Sequence, residues 1–107
     1  MELLMAKRNT KVRSITVLGR RWFDRRHGNT YFSAQILVNG AAVHRIDYEY
    51  GYGDQYLQEA FEWLDKRGHT SRERYSYGGS ELPRMYCERK GIDFHAEASD
   101  VSRKRDL

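Results

Sequence analysis

The feature that most constrains this chain is a change of hydrophobic period at Gly51-Tyr52-Gly53. Before it, apolar residues recur at every second position; after it, Leu57, Ala60, Phe61 and Leu64 recur at i, i+3, i+4 and i+7. The first pattern lays side chains on alternate faces of a strand, and the second draws one stripe along a helix. A chain of 107 residues has room for one core. The helix must therefore bury its stripe on the sheet that the preceding strands form.

Three strands are predicted first. Arg13 to Phe23 alternates through Ile15 and Val17, with Gly19 read as a bulge. Arg26-His27-Gly28-Asn29 is a turn. Thr30 to Val38 carries Phe32, Ala34, Ile36 and Val38 on one face, and Ala42 to Tyr50 carries Ile46, Tyr48 and Tyr50 on one face. A two-residue turn at Asn39-Gly40 would set the apolar faces of these strands against each other. The sequence therefore favours a three-residue loop, Val38-Asn39-Gly40, that pairs Leu37 with Ala41 and Phe32 with Ile46.

Asp54 stands at the N-cap of the long helix, Lys66 and Arg67 near its end, and Gly68 at its C′ position. His69 to Gly79 reads as a mobile connection. Ser80 is expected to cap a short helix, Glu81 to Lys90, with Leu82, Met85 and Tyr86 facing inward. Ile92, Phe94, Ala96 and Ala98 alternate as a fourth strand whose place in the sheet the sequence leaves open. The expectation is a single α+β domain: a mainly antiparallel four-stranded sheet with one long and one short helix on one face, in the order β-β-β-α-α-β. Residues 1–12 form an N-terminal extension, 13–101 the domain, and 102–107 a basic, frayed C-terminal tail.

Hydrophobic residues make up only 39% of the chain and aromatics 13%, so the core must lean on Phe, Tyr and Trp. Cys87 is the only cysteine, which excludes an intramolecular disulfide. No long apolar run marks a signal peptide or membrane span, and a cytoplasmic protein is expected. Charge is segregated: the segment from Lys7 to Arg26 has a net charge of +7, and that from Ala41 to Asp65 has −5. A basic side and an acidic side are the expected result.

Catalysis finds little support. There is no P-loop, nucleophile elbow or dinucleotide fingerprint, and His27, His44, His69 and His95 fall at no ligand spacing. The chain reads as a binding protein without cofactor or metal. Candidate partner- or nucleic-acid-binding residues are Arg20, Arg21, Trp22, Arg25, Arg26 and His27, where guanidinium groups flank an aromatic. Tyr52 joins them as an interface anchor, as do Arg72, Arg74, Tyr75 and Tyr77 on the connection before Gly78-Gly79. Tyr48 and Tyr50 read as part of an aromatic core wall.

The stretches Gly19-Arg20-Arg21-Trp22-Phe23, Gly28-Asn29-Thr30-Tyr31, Val38-Asn39-Gly40, Tyr50-Gly51-Tyr52-Gly53-Asp54-Gln55-Tyr56 and Ser99 to Leu107 resemble a group of short accessory proteins of bacterial viruses. The resemblance implies a phage accessory protein acting in the host cytoplasm. By analogy, that is an anti-defence, anti-CRISPR-like inhibitor of a host protein or nucleoprotein. The element order alone is also similar to plant-type AP2 domains and integrase arm-binding domains, which lay a sheet in DNA. The alternatives are direct nucleic-acid binding through the arginine-rich strand and turn, and a sponge that sequesters a signalling nucleotide. The acidic segment places a protein partner first.

Overall fold

A computed structural model describes residues 11–107; most of the expected N-terminal extension lies outside them. Three strands, β1 (Ser14–Asp24), β2 (Asn29–Val38) and β3 (Ala41–Tyr50), are followed by α1 (Gln55–Lys66), α2 (Pro83–Lys90), β4 (Asp93–Val101) and a single 3-10 turn, Lys104–Asp106. The sheet order is β3-β2-β1-β4. Neighbours are antiparallel except β1 and β4, which run parallel. The α+β class, the element order and the mainly antiparallel sheet are as the sequence predicts.

One sheet face meets the helices. Ile15 and Val17 of β1, Phe32, Ala34 and Ile36 of β2, and Tyr56, Ala60, Phe61 and Leu64 of α1 are all buried in one core. Leu57 packs at its margin. Phe94, Ala96 and Ala98 of β4 pack against the core, and the Phe94 ring meets Phe61 edge-on at 5.6 Å.

Several local expectations are corrected. Gly19 is no bulge: it pairs in register with Ala34 and Ala98. A Cβ there would lie 2.5 Å from the Tyr56 ring, so the glycine lets α1 approach β1. The β2–β3 loop has two residues, since Val38 pairs with Ala41, and Asn39 and Gly40 have φ of 53° and 84°. That is the left-handed pair a type I′ turn requires. Asn39 fits for a second reason: its Oδ1 accepts the amides of Arg13 and Ser14, and its Nδ2 donates to the Lys11 carbonyl. The conflict of faces is resolved by register shifts between Ile36 and Leu37 and between Phe32 and Ala34. Phe32 consequently lies opposite Glu49, not Ile46.

The cap of α1 differs too: Asp54 occupies the N-cap, but its side chain bonds no helix amide. Helix α2 begins at Pro83 after Leu82, with Gly91 left-handed at its end. Tyr86 is buried, whereas Leu82 and Met85 are more than half exposed. The connection from His69 to Gly79 is pinned rather than mobile. Arg72 donates to Asp65 Oδ2 at 2.8 Å, Glu62 Oε2 at 3.1 Å and the Glu81 carbonyl at 3.2 Å.

Candidate functional site

The sheet face turned away from the helices carries the distinctive chemistry. Even-numbered positions of β1 point to it, bringing Arg20 and Trp22 there, and Trp22 lies opposite Tyr31 of β2. Without the second register shift, strict alternation would place Tyr48 and Tyr50 on the helix side with Ile46. The extra residue in β3 turns both tyrosines to the open face. Trp22 then stacks on Tyr31 with centroids 6.0 Å apart, and Tyr31 stacks on Tyr48 at 4.9 Å. Tyr50 meets Tyr31 edge-on at 5.8 Å. These spacings fit offset stacking. The tyrosines expected in a core wall thus line an exposed aromatic row, with Tyr50 62% exposed.

Cations surround the row. At the Trp22 end, a cleft of about 480 Å³ is lined by Trp22, Phe23, Arg25, Val101 and Ser102. The turn holding Arg25 and Arg26 is set by Asp24. Its Oδ1 accepts the Arg26 amide at 3.1 Å, its Oδ2 lies 2.8 Å from His27 Nδ1, and its carbonyl accepts the Gly28 amide. The His27 hydrogen bond holds the Asp24 carboxyl below its ordinary range, so the acid stays engaged within the turn. Arg25, Arg26 and His27 are left exposed. At the Tyr48 end, an apolar cleft of about 610 Å³ is bounded by Tyr48, Asp47 and tail residues that include Lys104 and Arg105.

The tail is not frayed. Arg20 Nη1 donates to the Asp106 carbonyl at 3.0 Å, and Arg45 Nη2 to the main-chain oxygen of Leu107 at 3.0 Å. Lys104 Nζ lies 4.9 Å from the Tyr48 ring centroid.

The remaining predicted residues do not gather at this face. Arg21 points to the helix side, where its Nη1 donates to the Gly53 carbonyl at 3.1 Å and its Nε lies 3.2 Å from Asp100 Oδ1. It anchors the turn before α1. Tyr52 is 72% exposed on that turn. Arg72 is buried and Arg74 donates to Glu62 and Asp65, so both serve the fold. The Arg74 hydrogen bond holds the Glu62 carboxyl below its ordinary range. Tyr75 and Tyr77 stack at 5.3 Å and, with Leu82 and Met85, line an exposed depression of about 350 Å³.

The acidic segment is partly consumed. Glu62 and Asp65 are paired to Arg72 and Arg74, Asp47 to Arg45, and Glu59 accepts from Gln55. Burial pushes the Cys87 thiol up to about 11, leaving it protonated at neutral pH. Among the described residues, no group of three His, Cys, Asp or Glu side chains is placed to hold a metal ion, and no helix is long and apolar enough to cross a membrane.

Sequence reasoning missed Tyr31, Tyr48, Tyr50, Arg45 and Lys104. The period-two pattern of β2 does place Tyr31 opposite the core, but the β3 shift has no signature in composition. In comparisons with known proteins, no family model, no curated protein and no solved structure matches the chain.

Proposed function

We propose that this protein binds single-stranded nucleic acid on its open sheet face. The observation that carries the reading is the Trp22–Tyr31–Tyr48 stack on the face opposite the helices, with Arg20 and Arg45 on the same face and Arg25 at the Trp22 end. Aromatic side chains offer π-faces to unpaired bases, while arginines track the phosphates between them. The cleft at the Trp22 end, with Arg25 beside it, suits one base. The sequence reading ranks a protein partner first because of the acidic segment. With Glu62 and Asp65 spent inside the fold, that ground weakens and the nucleic-acid reading leads.

The test is fluorescence anisotropy with a labelled oligo-dT, its RNA counterpart, a duplex and a mononucleotide. Trp22→Ala should weaken single-strand binding by about 1–3 kcal/mol, the range for one stacked base. Arg25→Glu with Arg26→Glu should reduce the salt slope by roughly 0.7 per lost phosphate contact. Equal binding to duplex, or no effect of Trp22→Ala, would refute the stacking mode. A mononucleotide binding as tightly as the oligomer would favour a nucleotide sponge.

A second reading, a protein partner on the host side, is favoured by the exposed Tyr75, Tyr77, Leu82 and Met85 patch. Tyrosine and methionine are enriched where protein partners dock. The two surfaces together would suit an anti-defence accessory protein that engages a host nucleoprotein. Nuclease-resistant capture of a bacterial protein, lost on Tyr77→Asp with Met85→Asp, would support that arrangement; capture unaffected by those changes would remove it.

A further inference from the structure

We propose that the C-terminal segment Arg103–Leu107 is a strap that covers one part of the open face, at Arg20, Arg45 and Tyr48, and is displaced when nucleic acid binds. The inference rests on the sheet-face reading above. Two of the arginines best placed to meet phosphate, Arg20 and Arg45, line a polar cleft of about 210 Å³ with Ser33, Gln35 and Glu97. Both point a guanidinium nitrogen at the tail: Arg20 at the Asp106 carbonyl and Arg45 at the Leu107 main-chain oxygen, each at 3.0 Å.

The tail is shaped to make these contacts. Arg103 Nε and Nη2 donate to the Asp106 carboxylate at 3.0 and 3.4 Å, and the Asp106 and Leu107 amides donate to the carbonyls of Arg103 and Lys104. One closed turn therefore aims its last carbonyls at the sheet. Lys104 sits 4.9 Å from the centroid of Tyr48, the terminal ring of the aromatic row. A single short segment thus occupies a stacking surface and two phosphate-directed arginines at once.

Chemistry makes the strap exchangeable. The Asp106 carbonyl is a neutral acceptor, whereas a phosphate oxygen forms a charge-assisted bond about twice as strong with the same Arg20 guanidinium. A base stacked on Tyr48 replaces the cation–π contact of Lys104, itself a weak interaction at an exposed ring. The tail leaves without unfolding the sheet, because β4 ends at Val101 and the contacts given up are side-chain contacts outside the strand ladders. Once released, Arg103, Lys104 and Arg105 add positive charge beside the bound strand.

The test uses a charge-balanced variant, Lys104→Gln with Asp106→Asn. It removes the cation–π contact and the Arg103 ion pair while leaving net charge unchanged. Coulombic attraction alone predicts no change in affinity. If the strap is latched about nine-tenths of the time, unlatching tightens binding to a short oligo-dT on the order of tenfold. Unchanged or weaker binding would overturn the strap. A second readout needs no ligand: the Lys104 side-chain methylene resonances of the free protein should be shifted upfield by the Tyr48 ring and return to unstructured values in Tyr48→Leu. Unshifted resonances overturn the strap whatever the protein binds. Failure of the full-length protein and the variant alike to bind oligo-dT, with shifted Lys104 resonances, would refute the sheet-face reading and leave the tail as a purely structural clasp.

Discussion

Replacing Arg72 with Met tests whether this arginine serves the fold or a ligand. Its side chain is 1% exposed and donates to Asp65, Glu62 and the Glu81 carbonyl, with the guanidinium 5.6 Å from the Phe61 ring centroid. Met preserves much of the packing volume but leaves Asp65, whose side chain is 9% exposed, without its closest cation. Removing one partner of a buried ion pair costs about 3–5 kcal/mol. Two compensations place the cost at the lower end: Arg74 remains 3.0 Å from Asp65, and the Thr70 hydroxyl still donates to it. The expected loss is about 3 kcal/mol, a large share of the roughly 5–15 kcal/mol that holds a small domain folded. Arg74→Met makes the control. That side chain is half exposed, and surface pairs contribute about 0–1 kcal/mol. Urea denaturation followed by circular dichroism measures both. Equal losses for the two variants, or a loss below about 1 kcal/mol for Arg72→Met, would refute the assignment of Arg72 to the interior.

Gly19→Ala should destabilise by about 1–3 kcal/mol, because the new methyl meets the buried Tyr56 ring. A double-mutant cycle with Tyr56→Ala should show strong coupling, and additive losses would disprove the contact. Stability should also fall in acid through Glu81, whose carboxyl is drawn to about 2, chiefly by its hydrogen bonds from Arg89. A carboxyl with its folded pKa depressed favours the fold above its ordinary value of 4.5 and loses that contribution as pH drops toward about 2. Thermal melts of Glu81→Gln across that window should be flatter than those of the parent protein, and parallel curves would exclude the linkage.

Much of the architecture is legible in the sequence because local periods and glycine stops act within a few residues. The Leu57, Ala60, Phe61 and Leu64 stripe specifies α1, although Leu57 ends at the core margin and Tyr56 takes the deeper position. The candidate site was harder to read. Charge and residue type pointed to Arg20, Trp22, Arg25 and Arg26, yet a formal charge does not reveal which ions neutralise one another. Arg72, a candidate ligand residue by its sequence, is buried among carboxylates that formal charge alone assigns to an acidic face. The aromatic row depends on one extra residue in β3, a shift of register that reverses every later side chain. The tail's attachment depends on arginines 62 and 86 residues away in the chain.

The parallel pairing of β4 with β1 has a kinetic consequence. The three antiparallel strands are joined by short turns and can zip together from local contacts, whereas Ser14 finds Asp93 only after the whole intervening chain has been gathered. Contacts of such sequence separation form slowly, since loop-closure entropy opposes them until the ends meet. The β1 edge facing β4 is therefore expected to pair last, and the tail that reaches Tyr48 arrives with the strand that closes the sheet. An incompletely folded chain would lack the tail's contacts with Arg20, Arg45 and Tyr48, so the step that completes the sheet is also the step that brings the tail onto its open face.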